Sequence, residues 1–176
     1  LTVQMGAVPM AVPHTPPAHL THHATDKELI LAENVWSGEL RVPASAQSLL
    51  EIRMGEWGHR AMGFVAHVPH YLAQTEDKTA ALRLVEALQV ISGLRWDNDS
   101  LAQDAIKNRV EIDEQVAQSE ELSQLVKGLE DQYDAFHEAR TGEATNLLAE
   151  DTPLPTGEEL GSEFERFLAG LEDGDD

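Results

Sequence analysis

Met62-Gly63-Phe64-Val65-Ala66 is an unbroken apolar run without polar alternation. A strand of that kind belongs in a sheet covered on both faces. Gly63 to His67 reads as its buried part, Val68-Pro69 forces an extended exit, and His70, Tyr71 and Gln74 follow in a loop. A helix is predicted from Asp77 to Ser92, with Ala81, Leu84, Val85, Leu88 and Ile91 on one face and Gly93 as its stop. Ligands of open α/β sheets sit where loops leave the carboxyl ends of strands. A pocket is therefore expected here, lined by His67, His70, Tyr71 and Gln74, with His14 and His23 nearby.

The rest of the chain is organised around that unit. Leu1 to Val8 is short and apolar, with Gly6 as a turn or a site of close backbone approach. Pro9, Pro13, Pro16 and Pro17 forbid helix and predict an irregular, extended crossing. His19 to Thr25 reads as a strand, with His19, Thr21 and His23 on one face and Leu20, His22 and Ala24 on the other. Asp26 caps a short helical turn through Leu31, Trp36-Ser37-Gly38 is a turn, and Glu39 to Val42 a short strand. Ser45 is the N-cap of a helix to about Trp57, stopped by Gly58. Strand, helix, strand, helix predicts an α/β unit with a parallel sheet.

After Leu94 two helices follow without strands. Ser100 and Gln103 form a capping box for the first. On its apolar half Arg109 and Asp113 stand four residues apart, the spacing of a structural, enclosed ion pair. Ser119 starts the second, striped by Leu122, Leu125, Val126, Leu129, Tyr133 and Phe136. Thr141 to Pro155 is a linker, and Glu158 to Leu171 a last helix with Leu160, Phe164, Phe167, Leu168 and Leu171 on one face. From Glu150 onward there are ten acids and one base, so this acidic amphipathic helix docks on its own domain or on another protein. Three parts are expected: 1–94 as the α/β core, 95–140 as a helical hairpin, and 141–176 as an acidic linker and tail helix.

Composition narrows the function. The 12 basic and 32 acidic residues give −20, without the Lys and Arg clusters that neutralise phosphates, so neither nucleic acid nor an anionic membrane surface is an expected partner. No apolar run reaches the roughly 18 residues that a membrane helix requires. The opening Leu1-Thr2-Val3 has no basic n-region, so no signal peptide is expected. Cysteine is absent, which excludes thiol catalysis and Cys-based zinc sites and suits the cytoplasm. His67, His70, His23 and Asp26 have the chemistry of a zinc set, but a His-x-x-His on a strand exit lacks the helical spacing that aims two ligands together. No metal or other cofactor is expected. Ser45, Ser48 and Ser92 have no Gly-x-Ser-x-Gly context, and neither glycine-rich phosphate loop occurs.

The stretch Gly58-His-Arg-Ala-Met-Gly-Phe-Val-Ala-His-Val-Pro-His-Tyr-Leu-Ala-Gln-Thr75 resembles the proteasome assembly chaperone 2 family in its bacterial branch. Gly6 to Thr15, Val42 to Ala46, Glu111 to Val116 and Leu154 to Leu160 are similar to the same branch. The resemblance implies a three-layer α/β/α domain with a nucleoside phosphorylase-like core and a C-terminal helical extension. It also implies correspondence to the C-terminal part of a longer member. Characterised relatives assist 20S proteasome assembly as oligomers, archaeal ones through a C-terminal hydrophobic-Tyr-x tail that Asp173-Gly174-Asp175-Asp176 does not reproduce. The leading expectation is a non-enzymatic, cytoplasmic, homo-oligomeric assembly chaperone or scaffold with a protein partner. The alternative is a nucleoside-like small-molecule binder or hydrolase using the pocket above the central strand.

Overall fold

The computed structural model describes residues 1–30, 34 and 45–141. Strand β1 runs Thr2–Met10 and β2 Leu20–Ala24; then come helix α1 (Ala46–Glu56), strand β3 (Ala61–Pro69), and helices α2 (Lys78–Ser92), α3 (Asp99–Ala117) and α4 (Glu120–Thr141). Single 3-10 turns occupy Lys27–Leu29 and His70–Leu72. The turn at Trp36, the strand from Glu39, the linker after Thr141 and the tail helix with Leu160, Phe164, Phe167, Leu168 and Leu171 lie outside the described residues.

The fold is α/β, and the apolar run is its central strand, in the order β1-β3-β2. Eight of the nine β3 residues are buried, which is why its sequence shows no alternation. β1 lies parallel to it from Thr2 opposite Ala61 to Met10 opposite Pro69. β2 is antiparallel, with Leu20 opposite Ala66 and Ala24 opposite Met62. Two expectations change here. The sheet is mixed rather than parallel, and Leu1 to Val8 belongs to a full strand in which Gly6 makes no turn.

Helices cover both faces of the sheet. On one, Met62 and Phe64 pack with Leu29, Leu20, Ala24, Leu84, Ala87 and Ile91. Ala66 and Val68 pack with Leu72, Ala80 and Ile112 of the same layer. Burying each large apolar side chain stabilises by roughly 1.5–3 kcal/mol. The inward stripe of α2 is Ala80, Leu84, Ala87 and Ile91, rotated from the predicted face; Ala81 is exposed. The other face carries α1, which buries no residue of its own. His23–Glu51 and Gln47 Nε2 donating to Met5 O at 3.3 Å tie α1 to the strands.

Local chemistry sets the helix ends. Ser45 Oγ accepts from Ser48 N at 3.1 Å and Asp77 Oδ1 from Ala80 N at 2.9 Å, each satisfying an amide that the helix leaves open. Gly58, at φ +75°, lets His59 N return to Met54 O at 2.8 Å and so closes α1. Gly93 closes α2 at φ +68°. The predicted Ser100–Gln103 box does not start α3: the cap is Asn98, without a side-chain bond, and Ser100 lies inside the helix. Ser119 Oγ accepts from Leu122 N at 3.2 Å, opening α4 as expected.

The chain forms two compact units, Leu1–Asp134 and Ala135–Asp176. The first includes the sheet, α1 to α3 and most of α4. In the second, the described residues end α4, where the Phe136 and His137 rings meet edge-on at 6.3 Å. No helix of the described residues is long and apolar enough to cross a membrane.

Candidate functional site

The prolines before β2 carry His14 over the carboxyl end of β3, where its ring is buried. His14 N donates to Tyr71 Oη at 2.9 Å, and His14 Nδ1 lies 2.6 Å from the same oxygen. Nε2 lies 2.9 Å from Asp113 Oδ1. Arg109 Nε donates to that carboxylate oxygen at 3.3 Å, while its Nη1 donates to His14 O at 2.6 Å.

A single proton on the His14 ring is enough to satisfy every bond. Burial pushes the Asp113 carboxyl up, but the His14 bond and the Arg109 guanidinium outweigh it and hold it below the usual carboxylate range. An ionised carboxylate only accepts, so His14 Nε2 carries the proton. With that one proton on Nε2, Nδ1 accepts the Tyr71 O–H, and Tyr71 Oη accepts the His14 amide. Burial pushes the Tyr71 phenol up to about 12, so it keeps the proton that it donates. Arg109 and Asp113 pair as their spacing predicts, but Asp113 is half exposed, so the pair is not enclosed. The chemistry of the network is that of a staple between the proline crossing, the turn after β3 and α3.

The space beside it is small. His14, His67, Asp77, Thr79 and Arg109 contribute to the walls of a cavity of ≈ 20 Å³, room for about one water. Ligand pockets run to roughly 300–1,000 Å³.

Of the other predicted pocket residues, His67 shares that cavity, His70 borders the staple, and Gln74 and His23 stand apart. His67 is 3% exposed; its Nε2 lies 2.7 Å from Thr21 Oγ1, and its Nδ1 is buried without a partner. Burial lowers its pKa. His70 sets its ring edge-on to Tyr71 at 5.6 Å, but is exposed, as is Gln74. His23 lies under α1, with Nδ1 2.8 Å from Glu51 Oε1. Its ring takes the place of a side chain at Gly63, where a Cβ would stand 2.3 Å from His23 Cε1. Asp26 pairs with Arg60 at 3.4 Å. The four residues of the zinc reading thus have separate surroundings, and no group of three or more metal-ligating side chains gathers among the described residues.

Three contacts go beyond the sequence reading. Thr21 and Glu51 hold His67 and His23, and Tyr133 stacks on His19 at 5.5 Å with Oη 2.5 Å from His19 Nε2. Strand alternation does place Thr21 on the face it shares with His23. Glu51 reads in sequence as any helix-surface acid, and His19 and Tyr133 are 114 residues apart.

These features define an α/β protein whose central strand ends in a closed polar staple. Residues 1–116 match the PAC2 family, and the chain belongs to that family. It is similar to a Mycobacterium tuberculosis protein of unknown function, with 44% identity and TM-score 0.76, over 81% of this chain and 49% of that one. A protein of unknown function from Corynebacterium glutamicum is 31% identical with TM-score 0.73, over 78% and 51%. A proteasome-assembly chaperone homologue of M. tuberculosis shares the fold at 22% identity and TM-score 0.61, over 70% and 52%. The chain therefore spans about half the length of these structures. No curated protein matches it.

Proposed function

We propose that this chain is part of a non-enzymatic, cytoplasmic assembly chaperone or scaffold that works as a homo-oligomer and binds other proteins. The observation that carries this reading is the outward apolar surface of the helical layer. On α3, Ile106 is 67% and Val110 50% exposed, one turn apart, while Ala105 and Ile112 of the same helix are buried. Val90 near the end of α2 and Leu94 just beyond it are exposed as well. A helix needs one apolar face for its own core; a second one facing water is characteristic of protein contact. Membership of the PAC2 family and the fold shared with a proteasome-assembly chaperone homologue support the same role.

Titration with proteasome subunits, followed by sedimentation, tests it. Binding is expected, and Ile106→Asp with Val110→Asp should weaken it about tenfold or more, equivalent to about 1.4 kcal/mol, at unchanged melting temperature. Absence of binding, or undiminished binding by the variant, counts against the reading.

A small-molecule role has a second location to recommend it. A groove of ≈ 320 Å³ between β2 and α2, lined by Leu20, His22, Leu29, Met62, Phe64 and Ile91, is of ligand size. A nucleoside panel read by thermal shift tests this, with a shift lost in Phe64→Ala as the expected result.

A further inference from the structure

We propose that the groove beneath α1 binds a small organic amine, an apolar molecule that carries one ammonium group and a carbonyl oxygen close to it. This ligand role goes beyond the assembly role and does not rest on it.

Gly6 stands in the middle of β1, where a glycine weakens the strand and often marks the close approach of a ligand or another backbone. Conformational freedom does not account for it, since Gly58 and Gly93 are the described glycines with positive φ. Close packing does not account for it either. A Cβ at Gly63 would stand 2.3 Å from His23, whereas one at Gly6 would meet nothing nearer than Gln47 Oε1 at 3.9 Å. The space above Gly6 is open, and it belongs to a groove of ≈ 510 Å³. Ligand pockets run to roughly 300–1,000 Å³, so the groove is of ligand size.

The groove lies over the face of the sheet. Gly6 and Thr21 both pair with Val65, so its floor crosses all three strands, and Glu51 and Ile52 of α1 stand against it. Among the described residues that line it there is no Lys or Arg, and Glu51 is the single carboxylate. The Glu51 side chain is 12% exposed. Its Oε1 lies 2.8 Å from His23 Nδ1, while Oε2 is buried without a partner.

A buried anionic oxygen is costly until a donor meets it. On a chain of −20 the overall field also favours a cation there. Gln4 makes the opposite demand: its Nε2 is buried without a partner and can only donate. An ammonium group answers Glu51, and a carbonyl oxygen answers Gln4. A bare metal cation would leave the Gln4 amide unanswered, and a carboxylic acid would meet Glu51 with like charge. The apolar body of the ligand lies over Gly6 and Val65, against Ile52.

Calorimetric titration of the 176-residue chain with leucinamide tests this, because leucinamide combines the three features. Binding is expected, and removing the carbonyl group (isoamylamine) or the amine (isocaproamide) should each weaken it about tenfold or more. Glu51→Gln should erase the preference for the amine, so that leucinamide and isocaproamide bind alike. Gly6→Leu should fill the groove and abolish binding at unchanged melting temperature. If that variant melts earlier, Gly6→Ala, whose Cβ has room, takes its place and should still weaken binding. The proposal is overturned if leucinamide does not bind, if isocaproate binds as well as leucinamide, or if the Gly6 and Glu51 variants bind leucinamide as the wild type does.

Discussion

At Gly63 one added carbon meets an imidazole ring. A Cβ would lie 2.3 Å from His23 Cε1 and 2.5 Å from Nε2, so Gly63→Ala must displace the ring and break its bond to Glu51. Overpacking of this kind costs about 1–3 kcal/mol. Urea denaturation should show that loss in the wild type and a clearly smaller one in a His23→Ala background. Equal losses would place the strain elsewhere. Tyr71→Phe probes the staple. It leaves His14 N and Nδ1 without their shared partner, and about 1–3 kcal/mol of stability should go with it; a variant as stable as the wild type would show the bonds to be dispensable. The sequence locates His14 and Tyr71 near one strand end, because the proline crossing and the strand exit converge there. It cannot pair them with Asp113, since a contact over 99 residues leaves no periodic trace.

At the scale of elements, β3 and the turns around it are legible because burial on both faces and the capping chemistry of Ser45, Asp77, Gly58 and Gly93 are local properties. The α2 face differs from expectation by one position: Ala80 and Ala81 are equally apolar, and only tertiary packing chooses between them. The acid response belongs to β2 and β3, where His22 and His67 sit. Burial holds both pKa values down, with His23 adding to the effect on His22. The unfolded chain binds protons near pH 6.5 and the folded one only below that, so stability falls as pH drops through this window. Asp113, held below its ordinary value, keeps its contribution until the pH is lower still. The melting temperature should therefore drop between about pH 7.5 and pH 5, and drop less in His67→Gln. A flat wild-type profile would contradict the lowered pKa values of these rings.

For the whole molecule, the α/β class follows from the alternation of elements, whereas the direction of β2 does not: an antiparallel neighbour and a parallel one present the same apolar pattern to β3. The strand character of Thr2–Met10 is obscured by Gly6 and Pro9, two residues that weaken strands in isolation but are tolerated within this ladder. The residues of the expected pocket are gathered only in part: His67 reaches the cavity beside His14 at the end of β3, whereas His23 stands two strand pairs earlier, under α1. The crossing between β1 and β2 shows how little is needed to fix a long connection. Pro13, Pro16 and Pro17 restrict φ before folding begins, so the disordered chain has fewer conformations to lose there. Arg109 and Tyr71 grip both main-chain groups of one residue, His14, and the conformational entropy left for them to overcome is already small.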